Sequence, residues 1–254
     1  MDGRFRGSMR NLRFTVEYDG TAYQGWQRQP SGPSIQGTLE KAIGKMTGEF
    51  VTVIGAGRTD SGVHALNQVA NFRTDSTIPA ANFQKGLNSL LPRDIAVKSL
   101  SDVDPSFHSR FDARGKVYLY RIVTGPVRPV LLRHFAWHVR QPLDLDRMGE
   151  GASYFIGTLD FTSFCATHCD TRGRIRTVSR ALLTPREEGE ILFAIEADGF
   201  LRHMVRNIVG LLVDIGKGKI TPEETLEILA ARDRRRAAMT APPQGLFLKE
   251  VFYE

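Results

Sequence analysis

Two cysteines in 254 residues, Cys165 and Cys169, leave no material for a disulfide framework. With His168 they form a C-x2-H-C cluster. A structural zinc site wants four ligands, and no nearby His or Cys completes the set. The cluster reads as reduced thiols in a loop, and no metal is expected. Long apolar runs are missing too. None approaches the roughly 20 residues that cross a bilayer. The start, MDGRFRGSM, lacks the apolar core of a signal peptide. No membrane partner is therefore expected, and the chain reads as cytoplasmic. A nucleotide-cofactor signature is also absent. The spacing of Gly55, Gly57 and Gly62 does not fit G-x-G-x-x-G, and no Gly-Lys-Ser/Thr follows to make a Walker loop.

Acid is the scarcer charge: 28 Asp and Glu stand against 34 Lys and Arg, a formal charge of +6. Arginine makes up 26 of the basic residues, which favours forked contacts to phosphate and stacking on bases. From Ser106 to Arg140 seven basic residues (Arg110, Arg114, Lys116, Arg121, Arg128, Arg133, Arg140) face one acid, Asp112. A second run, Arg172, Arg174, Arg176 and Arg180, has no acid inside it. Either run alone reads equally well as a solvated strand face. Two in one chain point to a nucleic-acid groove.

Apolar and polar residues alternate over 12–18, a half-buried strand closed by Asp19-Gly20. Helical spacing from Ile35 through Met46 follows, with Ser34 as N-cap. Strands are expected over 50–54, 66–73 and 94–100, with a helix over 80–91. That β-α-β-β-α-β order suits a ferredoxin-like α+β layer. After Asp104-Pro105 the pattern restarts. Strands are expected over 115–124 and 134–140, a helix over 144–157, and a hairpin over 174–198 turning at Glu187-Glu188-Gly189. Helices over 200–215 and from Thr221 follow, the latter with Pro222 in its first turn, and a strand closes the chain at 246–253. Residues 1–8, with Gly7-Ser8 before a second methionine, read as a leader outside the fold. Two α+β lobes are expected, 9–107 and 108–254, and the cleft between lobes is the usual place for a site.

Three glycines in eight residues mark the segment Gly55–Gly62 as a backbone that bends sharply and lets another chain come close. It presents Arg58, Asp60 and His64. On physical grounds Asp60 could equally cap a turn of a polar hairpin. Over 200–215 the polar residues Arg202, His203, Arg206, Asn207, Gly210 and Asp214 form one stripe of an otherwise apolar helix. A buried Arg206 needs a partner, which could be a structural acid. Tyr118 shares a strand face with Tyr120 and Ile122, where core packing is the ordinary fate of an aromatic ring. The run Arg232–Arg236 reads as a solvated helix end.

The segment GRTDSGVHA (Gly57–Ala65) closely resembles the active-site loop of the bacterial tRNA pseudouridine synthase I family, with Ser61 in place of alanine. Four further blocks, VEYDGTAYQGWQRQ (Val16–Gln29), FHSRFDARGKVYLYRI (Phe107–Ile122), DFTSF (Asp160–Phe164) and FLRHMVRNIVG (Phe200–Gly210), are similar to that family in the same order, as is the ending GLFLKEVFY. Lys116 departs from the pattern, standing where arginine is frequent. The resemblance implies the pseudouridine synthase fold: two ferredoxin-like lobes of mostly antiparallel sheet with a basic cleft. It implies a cofactor-free isomerase acting on uridines 38, 39 and 40 in the anticodon stem-loop of tRNA, working as a homodimer. Breaking the bond from ribose C1′ to N1 needs a nucleophile to hold the detached fragment. The resemblance gives that role to Asp60, with Arg206 as its ion-pair partner and Tyr118 against the uracil, tyrosine or water taking the C5 proton. Arg58 and His64 would meet the substrate, Arg58 filling the space a flipped base leaves or holding a phosphate. Phe107, His108, Ser109, Arg110 and Phe111, with His168, Cys169, Asp170, Thr171 and Arg172, resemble the family's tRNA contacts. Two rivals remain at this level. A non-catalytic RNA-binding protein would have no need of a carboxylate in a basic cleft, and a nucleoside hydrolase would want a second carboxylate beside Asp60.

Overall fold

The computed structural model describes residues 9–167 and 173–254. The expected leader and the expected contacts His168, Cys169, Asp170, Thr171 and Arg172 lie outside the described residues. The chain forms two compact units, Met1–Ala113 with Leu248–Glu254, and Arg114–Phe247. The boundary thus falls after residue 107, and the closing segment returns to the first unit. Ser109 supplies the reason. Its N–H donates to Asn71 Oδ1 (3.0 Å), its hydroxyl to Ile54 O (2.6 Å), and its carbonyl accepts from the Tyr253 hydroxyl (2.7 Å).

In the first unit the elements run β1 (Arg10–Tyr18), α1 (Ile35–Thr47), β2 (Ile54–Gly55), β3 (His64–Thr74), α2 (Ala80–Leu90) and β4 (Ile95–Val103). The strands lie in the order β4-β1-β3-β2, each pair antiparallel, which is the ferredoxin-like arrangement. Leu12, Phe14, Val16 and Tyr18 alternate inward from β1 and meet Ile35, Leu39 and Ile43 of α1 and Phe83 and Leu87 of α2 in one buried core. Ser34 caps α1, its hydroxyl accepting from Gly37 N–H at 3.2 Å. The strand expected over 50–54 shrinks to two residues because side chains take its backbone groups. Val53 N–H donates to Glu40 Oε1, and Val53 O accepts from Gln36 Nε2, both at 3.0 Å. Phe50 is left fully exposed.

The second unit contains β5 (Gly115–Thr124), β6 (Trp137–Val139), α3 (Leu145–Ser153), β7 (Gly157–Asp160), β8 (Ile175–Pro185), β9 (Glu190–Ala197), α4 (Met204–Gly216) and α5 (Glu224–Ala231). The order β5-β9-β8-β7 is antiparallel, and β6 lies parallel to β5. The last strand, β10 (Leu246–Phe252), begins in this unit and ends in the first. β7 was not foreseen: the helix expected over 144–157 stops at Ser153, and Gly157 at φ 115° turns the chain into a strand. α4 starts at Met204 rather than 200 because His203 holds the left-handed conformation, φ 64°. No described helix is long and apolar enough to cross a membrane.

The polar stripe of α4 faces protein over Asn207 and Gly210. Asn207 is fully buried. Its amide donates to Phe164 O (2.7 Å), and its oxygen accepts from Arg234 Nη2 (3.0 Å) and Thr240 Oγ1 (2.7 Å). A side chain on Gly210 would overlap Met239 O. Arg234 also donates to Ala237 O, Ala238 O and Thr240 Oγ1. The run Arg232–Arg236 is therefore no simple solvated helix end: Arg234 clamps residues 237–240 onto α4. Burial pulls its guanidinium below the usual arginine range, and hydrogen bonds to a charged group, each contributing about 1.5–3 kcal/mol, offset the cost.

Candidate functional site

The Gly55–Ala65 segment leaves β2, bends tightly and enters β3. Val63 N–H donates to Asp60 O at 3.1 Å, so Asp60 closes the turn with its backbone. Residues 20–26 run alongside. Trp26 N–H donates to Thr59 O (3.0 Å), while the Ser61 hydroxyl (3.1 Å) and Gly62 N–H (3.4 Å) both donate to Tyr23 O. Gly25 makes this approach feasible. Its φ is +88°, and a Cβ there would lie 2.5 Å from Thr59 O and 3.0 Å from the Asp60 carbonyl carbon. Asp60 itself is half-buried, and Arg58 beside it is exposed, its Nε donating to Gln27 Oε1 at 2.9 Å.

Beneath the turn lies a small polar network in an apolar setting. The Tyr18 and Thr59 hydroxyls are 2.8 Å apart, and Gln68 Nε2 donates to Gly57 O at 2.8 Å. Tyr18, Thr59 and Gln68 are all buried. Burial pushes the Tyr18 phenol up, against smaller opposing effects of Thr59 and Gln68, so the hydroxyl keeps its proton. These residues bracket Arg58 and Asp60 from below, and sequence reasoning missed them. The signal was there in β1, where Tyr18 continues the inward phase of Leu12, Phe14 and Val16, leaving its hydroxyl to be satisfied inside. Tyr18→Phe is expected to leave Thr59 short of a buried partner and to cost about 1–3 kcal/mol. Calorimetric melting checks this, and an unchanged transition would refute it.

His64 is buried at the start of β3, where Nδ1 accepts from Gly20 N–H at 3.0 Å. Asp19 Oδ1 also lies 3.1 Å from Nδ1. With the Gly20 N–H directed at it, that nitrogen serves as an acceptor. The imidazole thus holds the Asp19-Gly20 turn.

In the second unit Tyr118 projects from β5, largely buried, with its ring edge-on to Phe200 at 5.0 Å. Arg206 sits in the first turn of α4. Its Nε donates to Ala241 O (2.7 Å), and its carbonyl accepts from Ala241 N–H (3.0 Å). The Tyr120 hydroxyl donates to Pro242 O at 2.7 Å. Burial raises that phenol strongly, and the positive charge of Arg206 offsets part of the rise. Segment 237–242 therefore fixes α4 and β5 at the level of Arg206 and Tyr120.

The turn Phe107–Phe111 divides by face. Ser109 is fully buried, and Phe107 packs on Tyr253 (5.2 Å between centroids), with Arg13 over both rings. The His108 ring lies 4.3 Å from the 74% exposed Phe111, with Arg110 over the latter. Three side chains of that turn form an outward stack, and the other two belong to the fold.

The family model described as tRNA pseudouridine synthase matches residues 15–112 and 152–254. A protein of Acetivibrio thermocellus named tRNA pseudouridine synthase A is 47% identical over 245 residues, 96% of this chain and 100% of its own. One of Thermoanaerobacter pseudethanolicus with the same name is 48% identical at the same coverage. Among solved structures, a chain of a Cbf5-Nop10-Gar1 complex aligns with 94% of this chain and 49% of its own length. Its 15% identity and TM-score of 0.36 support no comparison of sites.

Proposed function

The chain belongs to the tRNA pseudouridine synthase family, and on that footing we propose that Asp60 is the nucleophile with which it isomerises uridines 38, 39 and 40 in the anticodon stem-loop. The reaction converts uridine to pseudouridine. The C1′–N1 bond breaks, a C1′–C5 bond forms, C5 gives up its proton and N1 gains one.

The observation that best supports Asp60 is the anchoring of its turn. Trp26, Tyr23, Tyr18 and Gln68 bond to Thr59, Ser61, Gly62 and Gly57 on either side of it. A carboxylate so held can meet a reacting atom without first being ordered. Arg206 is its proposed ion-pair partner. The anchoring of Arg206 to Ala241 is consistent with a guanidinium kept in one orientation. Tyr118 is the proposed uracil contact and a route for the C5 proton, and its edge-on packing against Phe200 fixes the ring plane. A base must leave its stack to reach the carboxylate, at a cost of a few kcal/mol. Arg58, exposed beside Asp60, is the proposed occupant of the vacated space or partner of a phosphate. For His64, burial favours positioning the loop over touching substrate. Phe107–Phe111 contact tRNA chiefly through His108, Arg110 and Phe111. The enzyme acts in the cytoplasm as a homodimer without a cofactor.

The experiment is tritium release from unmodified tRNA carrying C5-labelled uridine, with the product mapped by carbodiimide-dependent reverse-transcription stops. Release with stops at positions 38 to 40 is expected. Release with stops elsewhere would overturn the anticodon assignment, and binding without release would reduce the protein to an RNA-binding module.

A further inference from the structure

A groove of about 380 Å³ opens on the first unit, and its lining includes Phe50, Thr52, Arg73, Phe107 and His108. Phe50 has no packing role in the fold: its ring is fully exposed, just past the end of α1. Exposing one phenylalanine is ordinary, whereas placing it beside a groove that also holds arginine and histidine calls for an account. No residue lining the groove is acidic. Three carboxylates close in sequence to the lining are hydrogen-bonded within the first unit. Glu49 accepts from the Thr74 hydroxyl, Asp104 from Ser106, and Asp112 from His108 N–H. Arg73 spends one N–H on Pro105 O, and a guanidinium has five. At one end the groove adjoins the outward stack of His108, Phe111 and Arg110.

We propose that this groove takes one unstacked nucleotide of the substrate RNA, its base on the Phe50 ring and its phosphate on Arg73. The proposal rests on the tRNA reading above and adds to it a contact outside the residues the family resemblance names. An aromatic face, a cation and no acid are the chemistry of single-stranded nucleotide capture, which tolerates any base.

Phe50 makes a clean test because its removal leaves the core intact. Filter binding of unmodified tRNA at one fixed salt concentration should show Phe50→Ala weakening the dissociation constant about fivefold or more, the lower end of a stacking contribution. Phe50→Trp should bind at least as tightly as wild type, and Phe50→Leu about as weakly as alanine. Equal affinity for wild type and Phe50→Ala would overturn the proposal. So would full rescue by leucine, or a change of oligomeric state in light scattering with tRNA affinity unaltered, since both mark an apolar protein contact. Tritium release is read separately. Its absence in wild type would overturn the isomerase reading, while the binding series would still decide the groove.

Discussion

Asp60→Asn is expected to release no measurable tritium from C5-labelled tRNA, a loss of at least about 10³-fold, while tRNA binding persists. Removing an attacking group usually costs that much or more, because the remaining machinery only orients the substrate. Asparagine keeps the shape of the side chain. It also leaves the Val63–Asp60 backbone bond and the anchors on Thr59, Ser61 and Gly62 in place. Binding should hold or tighten, since a negative charge that repels phosphate is gone. Residual activity within about tenfold of wild type would remove Asp60 from the role of nucleophile. Loss of binding together with activity would instead mean that the carboxylate orders the loop. The two outcomes are told apart by measuring affinity and release on one preparation.

The second large effect is expected at Gly25. An alanine there meets two independent penalties. Its left-handed φ disfavours any side chain, and the new methyl would stand 2.5 Å from Thr59 O, against the turn that bears Asp60. Relief of the overlap must come from backbone on both sides, so the Asp60 turn shifts by roughly 1 Å, enough to cost about 10² in kcat. Stability should fall by about 1–3 kcal/mol. Gly48→Ala is the control. It shares the left-handed φ, 74°, but nothing lies within 4 Å of the added methyl. It should lose stability without losing kcat. Equal losses of kcat in both variants would show that backbone strain, not displacement of the turn, is responsible.

Much of the architecture was legible because it depends on periodicity. Ile35, Leu39 and Ile43 with Ser34 before them, and the alternation Leu12, Phe14, Val16, are signals local to a few residues. What escaped depends on distant partners. Phe50–Val53 reads as a strand, and only the side chains of Gln36 and Glu40 decide otherwise. Arg234 reads as a solvated cation until Asn207 and Thr240 are brought to it. The helix read on to residue 157 stops at Ser153, and Gly157 already belongs to the strand that follows. The site divides in the same way. Glycines and charged residues crowd the Asp60 turn and advertise it, and the family likeness supplied the roles proposed for Tyr118 and Arg206. Tyr18, Thr59 and Gln68, which hold the turn from beneath, carry no sequence mark beyond a polar group at an inward phase.

The first unit is discontinuous in sequence, closed by residues that follow the whole of the second. On the ribosome this separates the two units in time. The second can complete itself from an unbroken stretch of chain. The first must wait, with its β4-β1-β3 sheet assembled but the partner of Ser109 and Arg13 not yet made. A nascent chain therefore passes through a stage in which the Asp60 turn exists on an unfinished support, and the segment Leu248–Glu254, made after the second unit, completes that support.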